Sequence, residues 1–346
     1  MAKLFVLLLL AHVFGDFVLQ NQAMSDGKFK DAKGIKPLCA WRSTHLREHA
    51  VIIFMLMTFV VIFPYCWLTV LAALAFMLAE YAFQNIKIHS VEPYGWFKKS
   101  VSFINNYHQR IQMLILAVVL IYMLLLHSKY LLVIMAITAT HFAIDAIKSK
   151  VENMKINGDE IHDSGYELYT FSLDQLIHVL ILYLCAFWLI AQGWKEPTFL
   201  NFLSLKSLVF FLMFFACGKP ANILTRRILV YLKIDMRDKQ QNDEKKTGRV
   251  IGLIERRLII FFMFIQQFAA IGFLITAKSI LRFSDINQSK GEQHNYITDK
   301  SEYVLIGTFV SISIAAACGF IIMFAGNPGI LSVDKLIEAV SIYNIF

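Results

Sequence analysis

A chain of 346 residues that is 58% hydrophobic and 17% charged falls outside the soluble globular class, which holds roughly 45–50% apolar residues. Several apolar windows approach the roughly 20 residues that cross a hydrocarbon core, so the composition predicts a multi-spanning membrane protein. The formal charge of +8 then needs no nucleic acid to explain it, because membrane proteins gather Lys and Arg on one side.

The expected fold is all-α, a polytopic transmembrane helix bundle of about eight to nine spans. In chain order they fall at about 4–20, 46–63, 66–84, 110–127, 130–147, 172–192, 203–217, 257–276 and 303–324. Met1 to Leu10 resembles a short signal-peptide core. No small-residue cleavage site follows promptly, and His12 and Asp16 would be odd cargo for a disposable leader, so this stretch is taken as the first span. Pro64 separates the second span from the third. Residues 85–110 hold an amphipathic tract suited to the lipid interface. The seventh span carries Lys206 and is stopped or kinked at Gly218-Lys219-Pro220, which allows a half-span. Residues 235–249 form a mixed-charge loop, and Glu255-Arg256-Arg257 stand as interfacial anchors at the mouth of the eighth span. Gln266 and Gln267 are expected to bond between helices. The five cysteines (Cys39, Cys66, Cys185, Cys217, Cys318) are scattered and make neither a disulfide framework nor a thiolate zinc site.

With the amino terminus outside, 25 of the 33 Lys and Arg face the cytoplasm and 8 face outward, as the positive-inside rule requires. Two domains are expected: a metal-binding bundle over residues 1–192, with an insertion at about 64–110, and a carboxyl-terminal region over 193–346 with a cytoplasmic loop at about 234–250.

The chemistry sits in four pairs of ionisable residues: His12/Asp16, His45/His49, His141/Asp145 and Asp174/His178. Four residues is about one helical turn, so each pair projects from one face. In the predicted topology all four lie near the cytoplasmic boundary. A carboxylate inside a membrane helix costs roughly 2.5–3.5 kcal/mol on insertion scales, so isolated pairs would be hard to sustain. Neutral imidazoles and carboxylates are ligands for Zn²⁺ and related ions. The expected metal ligands are His12, Asp16, His45, His49, His141, Asp145, Asp174 and His178, around one or two divalent ions, with Asp16, Asp145 and Asp174 as catalytic groups. Glu80 is a further ligand or base candidate, and Gln20, Gln84 and Gln175 are hydrogen bonders behind the ligands. His89, His108, His127 and His294 are read as interfacial.

At His12-x-x-x-Asp16, His141-x-x-x-Asp145 and Asp174-Gln-x-x-His178 the chain resembles a family of uncharacterised bacterial multi-spanning membrane proteins, a domain of unknown function. The tract Gly248–Arg257 with Ala270–Ser279 is similar to the carboxyl half of longer members. More remotely, the His/Asp arrangement is similar to membrane-bound metal-dependent hydrolases, zinc-dependent phospholipase C and P1-type nucleases. That resemblance implies a bacterial plasma-membrane protein acting on phosphoesters or lipid head groups at the inner leaflet. Two other functions remain open from the residues themselves: a divalent metal or proton transporter, and an intramembrane metalloprotease. The second would use His45-Leu-Arg-Glu48-His49, with Glu48 as base.

Overall fold

The structure, a computed structural model, describes residues 1–20, 24–28, 43–62, 118, 128–156, 164–196, 198–232, 242–288 and 294–326. Every element among them is helical. Five single helices are long and apolar enough to cross a membrane: Ala2–Leu19, Thr44–Ile62, Ser128–Lys150, Tyr166–Ala191 and Leu305–Ala325. A bent pair, Leu205–Ala216 with Lys219–Tyr231, makes a sixth if taken as one span. The span expected at 66–84, with Glu80 and Gln84, lies outside the described residues, as does that at 110–127 except for Val118.

The chain divides into two compact units, Met1–Glu160 with Ser172–Phe202, and Ile161–Phe171 with Leu203–Phe346. The first contains α1 (Ala2–Val13), α2 (Thr44–Ile62), α3 (Ser128–Ile156) and, from Ser172 onward, α4 (Ser164–Ala191). At one end of this bundle Trp194 Nε1 donates to Val61 O (2.9 Å), Lys3 Nζ pairs with Glu196 (2.6 Å) and Lys129 Nζ donates to Gln192 O (2.9 Å). The starts of α1 and α3 therefore meet the ends of α2 and α4, and the four helices alternate in direction. The interior is apolar, with Leu4, Leu8, Ile53, Met57, Ile134 and Leu189 almost wholly buried. Helix α4 shows how the pattern sorts its faces. Leu173, Leu176, Leu180, Leu184 and Phe187, at helical spacing, are exposed, whereas Asp174, His178, Leu182 and Leu189 are buried. An outward apolar stripe of that length would be an aggregation hazard in water and is ordinary against lipid.

The second unit contains α5 (Leu205–Ala216), α6 (Lys219–Tyr231), α7 (Asn242–Phe264), α8 (Phe268–Gln288) and α9 (His294–Gly326). One expectation is met here and two change. The broken seventh span is present, as a 50° bend between α5 and α6, with Pro220 in the first turn of α6, where its missing N–H costs nothing. The stretch expected as a loop at 234–250 is helical from Asn242, because Glu244-Lys245-Lys246 are good helix formers despite their charge. The span expected at 257–276 is interrupted: Gln266 adopts φ 61°, and Gln267 N–H bonds Phe262 O at 2.8 Å. This six-to-one closure terminates α7, so Gln266 and Gln267 form a break instead of a side-chain bridge.

Candidate metal centre

The first span changes its winding where the chemistry begins. After Val13, residues Phe14–Leu19 are π-helical, closed by Gln20 N–H to Gly15 O at 3.1 Å. A π segment re-aims side chains relative to an α-helix and is frequent at functional sites. Gly15 lets this segment pack closely on α2, since a Cβ at that position would stand 2.3 Å from Ile53 Cδ1. The backbone thus lies directly against α2, and Asp16 reaches residues of α2 and α3.

His49 Nε2 and His141 Nε2 are 3.0 Å apart, and Asp16 Oδ1 is 3.3 Å from each. Asp145 Oδ2 is 3.5 Å from His49 Nε2 and 3.8 Å from His141 Nε2. Ligand atoms bound tetrahedrally at about 2.0–2.1 Å to one zinc ion stand about 3.3–3.4 Å apart. The five distances bracket that value, so these donors are close enough to share one small divalent ion. Around this quartet, His12 Nδ1 is 3.8 Å from Asp16 Oδ1, and the His12 ring stacks on His178 at 4.9 Å. The His178 ring lies 4.3 Å from that of His141. Three sets bring ligand atoms within 4.8 Å of one another: His12, Asp16 and His141; His49, His141 and Asp145; Asp145, Asp174 and His178.

The hydrogen bonding points the same way. His178 Nδ1 lies 2.8 Å from Asp174 O; a carbonyl only accepts, so Nδ1 carries the proton and Nε2 presents a bare lone pair. Among the described residues that Nε2 has no hydrogen-bond partner, nor do both ring nitrogens of His12, His49 Nδ1 and Asp174 Oδ1, although all are buried. Each such orphan costs about 1–3 kcal/mol. Five in one cluster is the mark of a site organised for a ligand, and a donor set of imidazoles and carboxylates fits a divalent ion.

Two residues that the sequence reading passed over complete the cluster. Lys28, 8% exposed and carried on the helical turn at 24–28, bonds Asp145 Oδ2 at 2.6 Å and Gln20 Oε1 at 3.3 Å. Lys148 bonds Asp174 Oδ2 at 2.7 Å, and Gln175 Nε2 donates to the same oxygen at 3.0 Å. Lys148 was findable, because it continues the His141/Asp145 face by one more turn. Lys28 gives no local signal: it comes from a polar stretch between spans.

Seven of the eight expected ligands thus come together: His12, Asp16, His49, His141, Asp145, Asp174 and His178. His45 does not join them. It is half-buried, and its ring lies 2.5 Å from where a Cβ on Gly27 would stand. One turn separates His45 from His49, but α2 is at its amino-terminal end there, and the turn at 24–28 covers the first residue. Of the hydrogen bonders, Gln175 donates to the Asp174 carboxylate, whereas Gln20 accepts from Lys28, which in turn bonds Asp145.

Fold and cluster together define a class: an all-helical membrane protein that gathers imidazoles, carboxylates and ammonium groups inside its first unit. The chain belongs to the family described as Protein of unknown function (DUF3307), which it matches over residues 4–95 and 68–202. The match ends at the residue that closes the first unit, Phe202, so every cluster residue lies within its span. No curated protein and no solved structure matches the chain, and the remoter likeness to metal-dependent hydrolases finds no support in these comparisons.

Proposed function

We propose that this protein is an integral-membrane metalloenzyme that hydrolyses phosphoesters or lipid head groups at the cytoplasmic leaflet of a bacterial plasma membrane. The observation that carries the reading is the quartet of Asp16, His49, His141 and Asp145 ligand atoms, five of whose separations are 3.0–3.8 Å, ringed by orphaned buried polar atoms. These four residues would hold one divalent ion, zinc by donor type. When bound, the ion supplies Lewis acidity and makes nearby water a better nucleophile near neutral pH. Asp174 is the candidate base: Lys148 and Gln175 hold its Oδ2, leaving the buried Oδ1 free to take a proton. His12 and His178 flank the site and orient what enters it.

The interior beyond the cluster weighs against a metal or proton transporter. Leu4, Leu8, Ile53, Met57 and Ile134 fill it, and a transport path needs polar groups carried onward. The inverted-zincin protease reading needs His45 and His49 on one ion, and His45 faces Gly27 instead. The test is elemental analysis of the full chain purified in detergent. About one zinc per chain is expected in wild type, and a loss of nearly all of it in His141→Ala and Asp16→Ala. Two per chain would add an ion at Asp145, Asp174 and His178. No bound metal in wild type after zinc loading would end the proposal, and metal flux in proteoliposomes without phosphoester cleavage would replace the hydrolase with the transporter.

A further inference from the structure

The quartet of Asp16, His49, His141 and Asp145 leaves Asp174 and His178 outside it. These two stand one turn apart on α4 and are 5% and 3% exposed, with Asp145 on α3 at 7%. One donor atom from each of Asp145, Asp174 and His178 lies within 4.8 Å of the other two. His12 with Asp16 and His141 adds only one donor to the quartet, whereas this set adds two.

Both α4 side chains are held in the way ligands are held. Lys148 Nζ and Gln175 Nε2 donate to Asp174 Oδ2 at 2.7 and 3.0 Å, so Oδ1 is the oxygen left over. His178 Nδ1 donates to Asp174 O at 2.8 Å, so Nε2 keeps its lone pair. A metal-ligating histidine almost always donates its other ring N–H to a carbonyl, carboxylate or water, and a ligating carboxylate is itself hydrogen-bonded. The two atoms so presented, Asp174 Oδ1 and His178 Nε2, are buried and find no hydrogen-bond partner among the described residues. Two bare acceptors side by side are costly alone and favourable around a cation. The His178 ring also packs against those of His12 and His141, at 4.9 and 4.3 Å, which restricts its rotation.

The number of donors sets the character of such a site. Structural zinc has four protein ligands, whereas catalytic zinc has three and an open position. The quartet has the first number and this set the second, so it holds its ion less tightly and leaves room for an outside ligand. Paired ions are also the arrangement that clamps the attacking and leaving oxygens in phosphoester displacement.

We propose that Asp145, Asp174 and His178 form a second divalent-ion position, weaker than the quartet and joined to it through Asp145. This rests on the metal-centre reading above and extends it to two ions. With the second ion bound, Asp174 is a ligand; without it, Asp174 remains the base.

The probe is zinc alone, supplied to the full chain in detergent by dialysis against buffered free zinc and read by elemental analysis. In wild type about one zinc per chain persists through purification, and a second is taken up at higher free zinc. His178→Ala and Asp174→Asn keep the first zinc, while affinity for the second falls by more than about tenfold, the scale on which even outer hydrogen-bond partners act. A content that stays at one however high the free zinc overturns the inference and leaves the one-ion centre standing. A second zinc that survives in both variants lies elsewhere and also overturns it. So does loss of both zincs in Asp174→Asn, whose side chain keeps the carboxyl's shape, because the donors would then act as one site. Wild type that binds no zinc defeats the metal centre itself.

Discussion

The two units bury charge in opposite ways. In the second, Arg256 is 2% exposed, yet its guanidinium donates to Cys217 O at 3.0 Å, to Ser311 Oγ at 2.8 Å and to Asn222 Oδ1. Cys217 sits at the break between α5 and α6, where a carbonyl loses its helical partner. Arg256 thus closes that break and ties it to α9, and is not the interfacial anchor that its position in Glu255-Arg256-Arg257 suggested. In the first unit, seven buried or half-buried imidazoles and carboxylates lie together, and five of their polar atoms find no partner among the described residues. A buried charge with matched partners is a staple; a buried group with bare atoms is held ready for something else. That difference separates structure from function here better than burial or charge alone.

Crossed substitutions test the comparison. The largest stability effect is expected from Arg256→Met. It strands three acceptors and so lowers stability by about 3 kcal/mol or more, read as a fall in the thermal midpoint of the full chain in detergent, with zinc content unchanged. If zinc were lost as well, the two roles would not be separable. Next comes Gly15→Ala, where the added methyl meets Ile53 Cδ1. Overpacking of this kind costs about 1–3 kcal/mol, and because Asp16 is the next residue, zinc affinity should fall too; unchanged affinity would show that the π segment does not set the aim of Asp16. His12→Leu should run the other way. Removing two orphaned nitrogens stabilises the zinc-free protein by about 1–2 kcal/mol while weakening zinc, and a drop in stability would mean that His12 is a satisfied core residue. The smallest effect is expected for Gln175→Ala, which takes one bond from Asp174 Oδ2. About a tenfold loss of phosphoester cleavage follows, measured as a hydrolysis rate at unchanged zinc content.

Much of the site was legible before the structure. Intramembrane His and Asp are expensive, so their recurrence one turn apart on several spans already implied that they meet. The alternating direction of the spans put them at one level, and seven of the eight do converge. Helix α2 shows the limit of that logic. Spacing of four residues placed His45 and His49 on one face, but a face extends only as far as the neighbouring helices do, and at His45 the neighbour is the turn bearing Gly27. Lys28 was invisible for a related reason: it is polar, in a polar stretch, and acquires meaning only from Asp145, 117 positions away.

Composition and periodicity by themselves determined that this is an all-helical membrane protein, roughly where its helices run, and which ionisable residues must find company in the interior. These follow from one-body costs, since each residue's transfer from water to hydrocarbon can be priced without knowing its neighbours. The tertiary structure alone decided the π winding at Asp16, the break at Gln266, the burial of Arg256 and the choice of Lys28 over His45 as a cluster member. Those depend on which backbones approach closely enough to touch, as Gly15 does Ile53 and Gly27 does His45, and contacts between distant segments leave no period in a sequence.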